Sequence, residues 1–462
     1  MHAGRRDLFG LFLLSFVASA LVGTHGLAYW DAGDYTRLAI EGAPSGLLLG
    51  RPLFLAASRL ILATGFDVAH AEPVLRWTWT FASATAPPLL ALLAARLGFS
   101  RAEALATGAA LALSPAFAHT AHQVLTDGPA LALTIGALVI AAGQPTIDSE
   151  GESAGVPSAR RPIARAATSG LVLAAAIATR ETAVLFGLSL VLLALPAGRL
   201  AALAAATTTV VGTAAIVLIA HHGPPPSLVG WTAAMGKSST LHLRDVLVSL
   251  GWVLAIGPLP VVLGIAALRS PRKELRWIAW PATLATLLLV FYPFGAYSPR
   301  YVLATAPLAF LLPAGPLLAK RPRLAIVLLL LPLGAVFFAT RPTRALAERG
   351  ADAATRFSTL PDRALLVPGH FCPQVRLAIA IDAKKTGLHR DVTLLCPGWE
   401  WPDDPADALD RARCEGRTLV LDLRDDAWFG DGERAPRAAL QAWAARQSLT
   451  GPIAVVPPRE CR

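Results

Sequence analysis

Two carboxylates, Asp31 and Asp34, close a long uncharged run that begins at Leu8. They sit in Tyr29-Trp30-Asp31-Ala32-Gly33-Asp34-Tyr35, among aromatic residues of the kind that anchor at a membrane interface. Between later apolar runs lie Arg37, Arg51, Arg59, Arg76, Arg180, Lys237, Arg244 and Arg300. Acidic residues accompany them, notably Glu41, Asp67, Glu72, Asp127, Glu181 and Asp245. Arginine grips phosphate through two parallel charge-assisted hydrogen bonds. Arginines and carboxylates gathered at one membrane face therefore read as a polar site, suited to a phosphate-bearing ligand. Plainer roles fit the same residues. Asp31 and Asp34 suit a turn with a helix cap, and each arginine suits an interfacial anchor. Asp127 suits the N-cap of a helix with Pro129 in its first turn.

These residues need a membrane scaffold, and the composition supplies one. Hydrophobic residues make up 54% of the 462, and charged residues only 16%. The final 122 residues hold 35 charged side chains, and the preceding 340 hold 37. That pattern excludes one soluble globule, a disordered chain and a collagen-like fibre. It describes a polytopic α-helical membrane protein with a soluble tail. Taking about 20 apolar residues per crossing, we read about eleven spans. Their approximate bounds are 8–28, 76–95, 104–119, 128–143, 166–179, 182–196, 200–220, 246–268, 277–294, 301–319 and 324–340. The stretch 166–198 is too long for one span and is broken at Arg180-Glu181, so it is read as two short spans. Arg5 and Arg6 place the N-terminus inside. Alternation then puts fifteen basic residues inside and eight outside among residues 1–340, which satisfies the positive-inside rule. The tail falls outside the cytoplasm. The first span also has features of a signal peptide, and its cleavage would leave the later topology unchanged.

Residues 1–340 form the membrane domain, with a first outer loop over 29–75. Within it, Arg51–Ile61 reads as an amphipathic helix on the outer surface. Residues 341–462 form a small extracytoplasmic α/β domain, with strands near 364–368, 391–396, 418–423 and 453–456. Helices near 373–383, 405–415 and 436–447 alternate with these strands, so a parallel sheet is expected. All four cysteines (Cys372, Cys396, Cys414 and Cys461) lie in this tail. An even count in one soluble segment suits an oxidising compartment and allows three pairings. Cys372 and Cys396 would lie just beyond two strand ends. Arginine outnumbers lysine 36 to 5 and asparagine is absent, a bias typical of GC-rich bacterial genomes. The net charge of +10 belongs mostly to loops between spans, so it argues for topology and against nucleic acid.

An acidic motif after span one, followed by a surface helix opening Gly50-Arg51-Pro52-Leu53-Phe54, resembles the GT-C superfamily of membrane glycosyltransferases. The likeness is greatest to the protein O-mannosyltransferase and lipid A aminoarabinose transferase group. Further matching stretches run in order. They are Ala95–Ser100, Ala112–Pro115 with Leu125–Pro129, Ala178-Thr179-Arg180-Glu181, and Ser298-Pro299-Arg300-Tyr301 with Pro307. The resemblance spans residues 8–340 and omits the tail. Such enzymes often carry two adjacent acids in loop one, whereas here Ala32-Gly33 separates Asp31 from Asp34.

The resemblance implies a hexosyl or pentosyl transfer from a polyprenyl-phosphate-linked sugar to an extracytoplasmic protein, lipid or glycan, in a bacterial inner membrane. Asp31 is then the general base and Asp34 its substitute. Arg180, Arg300, Arg51 and Lys237 bind the donor phosphate. Asp127 orients Arg180 or the acceptor, and Glu181 pairs with a neighbouring arginine. Tyr301 and His122 complete the set. No cofactor is firmly implied. His119 and His122 are spaced for one helical face that could hold a divalent metal, but they read first as interfacial polar residues, and no metal is assigned. The rival reading is a secondary transporter or flippase for an anionic or lipid-linked substrate. It predicts ionisable residues near the bilayer midplane and repeated halves.

Overall fold

The computed structural model describes residues 4–23, 30–43, 51–143, 160–220, 242–291, 300–339, 341–358, 363–397, 401–428 and 434–461. The chain divides into two compact units. The first comprises Met1–Thr24, Pro44–Ile61 and Val74–Arg341, and the second His25–Ala43, Leu62–Pro73 and Pro342–Arg462. Two segments within the expected first outer loop, 30–43 and 62–73, cluster with the tail.

Among the described residues, the regular elements of the first unit are all helices. A helix or a broken helix overlaps the described part of each stretch read as a span; positions 24–28, 292–294 and 340 of those stretches lie outside the described residues. Among the described residues, three helices are long and apolar enough to cross a membrane. They are Val68–Arg96, Arg161–Thr179 and Arg199–Ile219. A fourth span forms if Leu243–Leu254 and Pro258–Ala267, bent by 90° at Gly257, count as one. Five further apolar helices are shorter. The expected break at Arg180-Glu181 is present. Arg160–Thr179 ends there, and Glu181–Phe186 continues as a 3-10 turn into Gly187–Ala194.

Small residues let these helices approach closely, the usual device where lipid gives no hydrophobic drive. At Gly170, a Cβ would stand 2.5 Å from the Ala205 carbonyl oxygen on Arg199–Ala220. Beside that contact, the Thr208 hydroxyl donates across the helix pair to the Ala167 carbonyl at 3.1 Å. Arg199–Ala220 turns Leu203, Val210, Leu218 and Ile219 outward, each more than 60% exposed, as a lipid-facing stripe would. The helix Arg101–Ala112 starts in a capping box, with Ser100 N–H donating to Glu103 at 2.8 Å and Glu103 N–H to the Ser100 hydroxyl. A π-helical turn, Pro307–Leu311, follows the short helix Arg300–Leu303.

The second unit is built on a four-stranded sheet of β1 (Arg363–Val367), β2 (Asp391–Leu394), β3 (Thr418–Asp422) and β4 (Ile453–Val456), in the order β2-β1-β3-β4. β1 pairs parallel with β2 and β3. β4 pairs antiparallel with β3, which corrects the expected all-parallel sheet. The difference shows in burial. Four consecutive residues of β1, Ala364–Val367, are buried, as between two helical layers, whereas Val455 of β4 is 59% exposed. An edge strand with one solvent-facing side is the kind that tolerates antiparallel addition. Leu365, Val367, Leu419 and Leu421 pack with Leu409 and Trp443 in one core. Ala364, Leu366 and Val420 pack with Phe357 and Val375 in another. Disulfides join Cys372 to Cys396, just past β1 and β2, and Cys414 to Cys461.

The helix Trp30–Glu41 belongs to this second unit and lies along Cys372–Thr386. Gly33 makes the approach feasible, since a Cβ there would stand 2.9 Å from the Cβ of Pro373.

Candidate functional site

In the first unit, a connected set of buried charges lies at the ends of the helices. Arg51 precedes Pro52–Leu62, the helix expected over Arg51–Ile61. It holds φ +47, a left-handed backbone that a bulky residue adopts only where the surroundings impose it. From there its guanidinium reaches Glu181 with two hydrogen bonds, Nη2 to Oε1 at 3.2 Å and Nε to Oε2 at 3.4 Å. Next to Glu181, Arg180 caps the 3-10 turn in extended backbone and is only 1% exposed. Its Nη1 donates to Asp127 at 2.9 Å and to the Thr126 hydroxyl at 3.1 Å. Asp127 lies in the first turn of Asp127–Ala142 and makes no cap. Its carboxylate faces Arg180 and is equally buried, so the helix-cap role is set aside.

Tyr301 joins two of the arginines. The Arg180 guanidinium carbon lies 5.5 Å from the ring centroid, and that of Arg300 lies 5.0 Å from it. Arg300 Nη2 also donates to the Tyr301 hydroxyl at 3.2 Å. Arg51 and Arg180 thus each face a carboxylate, and Arg180 and Arg300 meet at the Tyr301 ring, in a largely water-excluded setting. Charge in such a setting acts more strongly than in bulk water.

Arg76 forms a second group, which the sequence analysis counted among the outer cations but left out of the site. Its Nη1 lies 2.9 Å from His122 Nε2, and the Thr80 hydroxyl lies 3.0 Å from Nδ1. Arginine can only donate, so Nε2 accepts and Nδ1–H donates to Thr80. Thr80 in turn donates to the Arg76 carbonyl at 2.7 Å. Both nitrogens of His122 therefore face protein partners in this arrangement. Among the described residues, no group of three or more His, Cys, Asp or Glu could hold a metal ion. The i, i+4 spacing of Arg76 and Thr80 was the available signal for this group.

Asp31 and Asp34 belong to the second unit, on the helix Trp30–Glu41. Arg37 Nε and Nη2 both donate to Asp34 Oδ1 at 3.4 Å, and Arg37 Nη1 donates to Glu41 at 2.6 Å. Burial pushes the Asp34 carboxyl above its ordinary range, while Arg37 and then Arg376 pull it down and Asp31 adds repulsion. Arg376 stands on Cys372–Thr386. The structure therefore unites Arg51, Asp127, Arg180, Glu181, Arg300 and Tyr301 in one unit, with His122 in the neighbouring group, and carries Asp31 and Asp34 in the other. Lys237 lies outside the described residues.

About nine-tenths of the chain is similar to solved membrane-protein structures. Against ArnT from Cupriavidus metallidurans bound to undecaprenyl phosphate, the TM-score is 0.56 at 15% identity, covering 90% of this chain and 92% of that one. Against the apo state of the same protein it is 0.58 at 13% identity, with the same coverage. The chain has the GT-C fold. A second GT-C structure, the Archaeoglobus fulgidus oligosaccharyltransferase tethered with an acceptor peptide, matches with a TM-score of 0.50 at 10% identity. That match covers 91% of this chain and 69% of the other. No protein-family model matches the sequence, and no curated protein does. The likeness thus lies in the architecture and covers about nine-tenths of the chain.

Proposed function

We propose that this protein is a membrane glycosyltransferase that moves a hexosyl or pentosyl group from a polyprenyl-phosphate donor to an acceptor outside the cytoplasm. The observation that carries this reading is the buried arginine group around Arg180 within a GT-C fold. Its structural neighbour ArnT was crystallised with undecaprenyl phosphate. An anionic phosphate head with an apolar tail suits guanidinium groups gathered at helix ends in a membrane fold.

In the proposed step, an acceptor hydroxyl attacks the anomeric carbon, and the bond from that carbon to the phosphate oxygen breaks. Asp31 takes the hydroxyl proton, and Asp34 is its substitute. The departing phosphate gains negative charge, which Arg180, Arg300, Arg51 and Lys237 receive. Glu181 and Asp127 hold Arg51 and Arg180 in place, so the cations are set before the charge develops. Residues 1–340 would cross a bacterial inner membrane about eleven times, with the N-terminus inside and the α/β domain outside.

The test is labelled-sugar transfer from polyprenyl-phosphate donors in membranes with matched protein levels. Asp31→Asn should lower the rate by about 10²–10⁴-fold, with Asp34→Asn far milder. The reverse order would move the base to Asp34. Wild-type rates in both variants would sink the mechanism.

A further inference from the structure

A cavity lined in part by arginines lies in the first unit, remote in sequence from the Arg180 group. It has a volume of about 320 Å³, within the range of small-ligand pockets. Arg269, Ser270 and Arg272 line it together with apolar residues that include Phe99, Pro313 and Leu317. The turn that supplies the polar residues holds Arg269, Arg272, Lys273 and Arg276 within eight residues, with Glu274 the one acid among them.

The guanidinium of Arg272 is braced. Its carbon lies 4.5 Å from the Phe99 ring centroid, so the ring supports one face of the group. The nearest carboxylate oxygen, Glu103 Oε2, is 3.9 Å away, beyond hydrogen-bond reach. That oxygen already accepts from the Ser100 amide in the capping box. The Arg272 side chain keeps 36% of its surface open. Lys273 is turned onto Trp277, with its Nζ 4.9 Å from the ring centroid.

The apolar lining continues outward. Ala266 lines the cavity, and Val262 and Ile265 lie four and one residues before it on Pro258–Ala267. They are 60% and 55% exposed. An anion seated between Arg269 and Arg272 would therefore have an apolar track leading away from it. Free phosphate would use the arginines and leave that track empty. A molecule with a phosphate head and a hydrocarbon tail would use both.

We propose that this cavity holds an anionic membrane phospholipid, with its phosphate between Arg269 and Arg272 and one acyl chain along Ala266, Ile265 and Val262. Basic pockets between membrane helices recognise lipid heads in this way. The site is separate from the sugar-transfer reading and does not depend on it.

The test uses the full-length protein in neutral detergent, titrated with phosphatidylglycerol. Binding is read by native mass spectrometry and by the rise in Tm. The Arg269→Gln/Arg272→Gln variant should need at least about tenfold more lipid for half-saturation, since a charge-assisted contact is worth about 1.5–3 kcal/mol. Ala266→Trp keeps both arginines and fills the cavity, and it should weaken binding to a similar degree. This second variant guards against a double variant that fails to fold. Phosphatidylcholine and inorganic phosphate should each give a much smaller Tm rise. Equal phosphatidylglycerol binding by wild type and Ala266→Trp would overturn the proposal. So would a full response to inorganic phosphate alone. Polyprenyl phosphate binding tenfold tighter than phosphatidylglycerol, with the same arginine dependence, would overturn the phospholipid assignment.

Discussion

Asp127 and Arg180 neutralise each other where neither meets water. Removing one partner of such a pair strands the other charge. Asp127→Asn should therefore destabilise the protein by about 3–5 kcal/mol, read as a lowered Tm in detergent. Arg180→Lys should not rescue function, because a lysine cannot offer the planar fork that Thr126 and Asp127 meet. Asp34 permits a pH prediction. Its carboxyl is raised above 3.8 by burial. As a base it would work only when deprotonated, so its acid limb should lie above that of an ordinary aspartate. Arg376 holds the value down, so Arg376→Gln should move the limb to higher pH and Arg376→Lys should leave it near wild type. Asp31, Arg37, Glu41 and Arg376 are the charged groups around it on the two helices concerned. If Asp34 has no part in the reaction, neither variant will shift the transfer profile. These residues could be singled out by type and by their place beside apolar runs. Their partners could not, because Arg51 meets Glu181 across 130 residues and no local spacing encodes that contact.

The helices themselves were legible, since long apolar runs and their charged interruptions set where each one starts and breaks. The geometry within them was not. Val68–Arg96 begins well before the apolar run that marked its span, because Asp67 caps a 3-10 turn that leads into it. The helix Trp30–Glu41 was read as loop, since its polar face hides its periodicity. Likewise β4 had the composition of a strand, but its direction depends on the path the chain takes after Arg434–Arg446. Close helix approach gives a prediction at this scale. Gly170→Ala places a methyl group against the Ala205 carbonyl and should cost about 1–3 kcal/mol through overpacking. Thermal unfolding in detergent would show it. A neutral result would mean that the two helices separate more easily than their hydrogen bond at Thr208 suggests.

Two covalent links secure the tail, closing loops of 24 and 47 residues. By loop-closure entropy, each should stabilise the second unit by about 3–4 kcal/mol. Cys414→Ser/Cys461→Ser should thus lower the Tm of the tail, and chemical reduction should do the same to wild type. Disulfides persist outside the cytoplasm, so alkaline phosphatase fused after Arg462 should be active and green fluorescent protein dark. The opposite pattern would invert the proposed topology. Charge distribution made the soluble tail legible. It could not reveal that residues 25–43 and 62–73 cluster with that tail, because neither segment resembles it in composition. This clustering has a consequence for biogenesis. The helix bearing Asp31 and Asp34 leaves the ribosome early, yet its packing partner, Cys372–Thr386, is among the last parts made. At roughly 5–20 residues per second of synthesis, the early helix waits tens of seconds for the surface it lies on. The helix carrying these carboxylates therefore meets its packing partner only in a finished chain; if they act in the transfer as proposed, a nascent or C-terminally truncated protein would be inert.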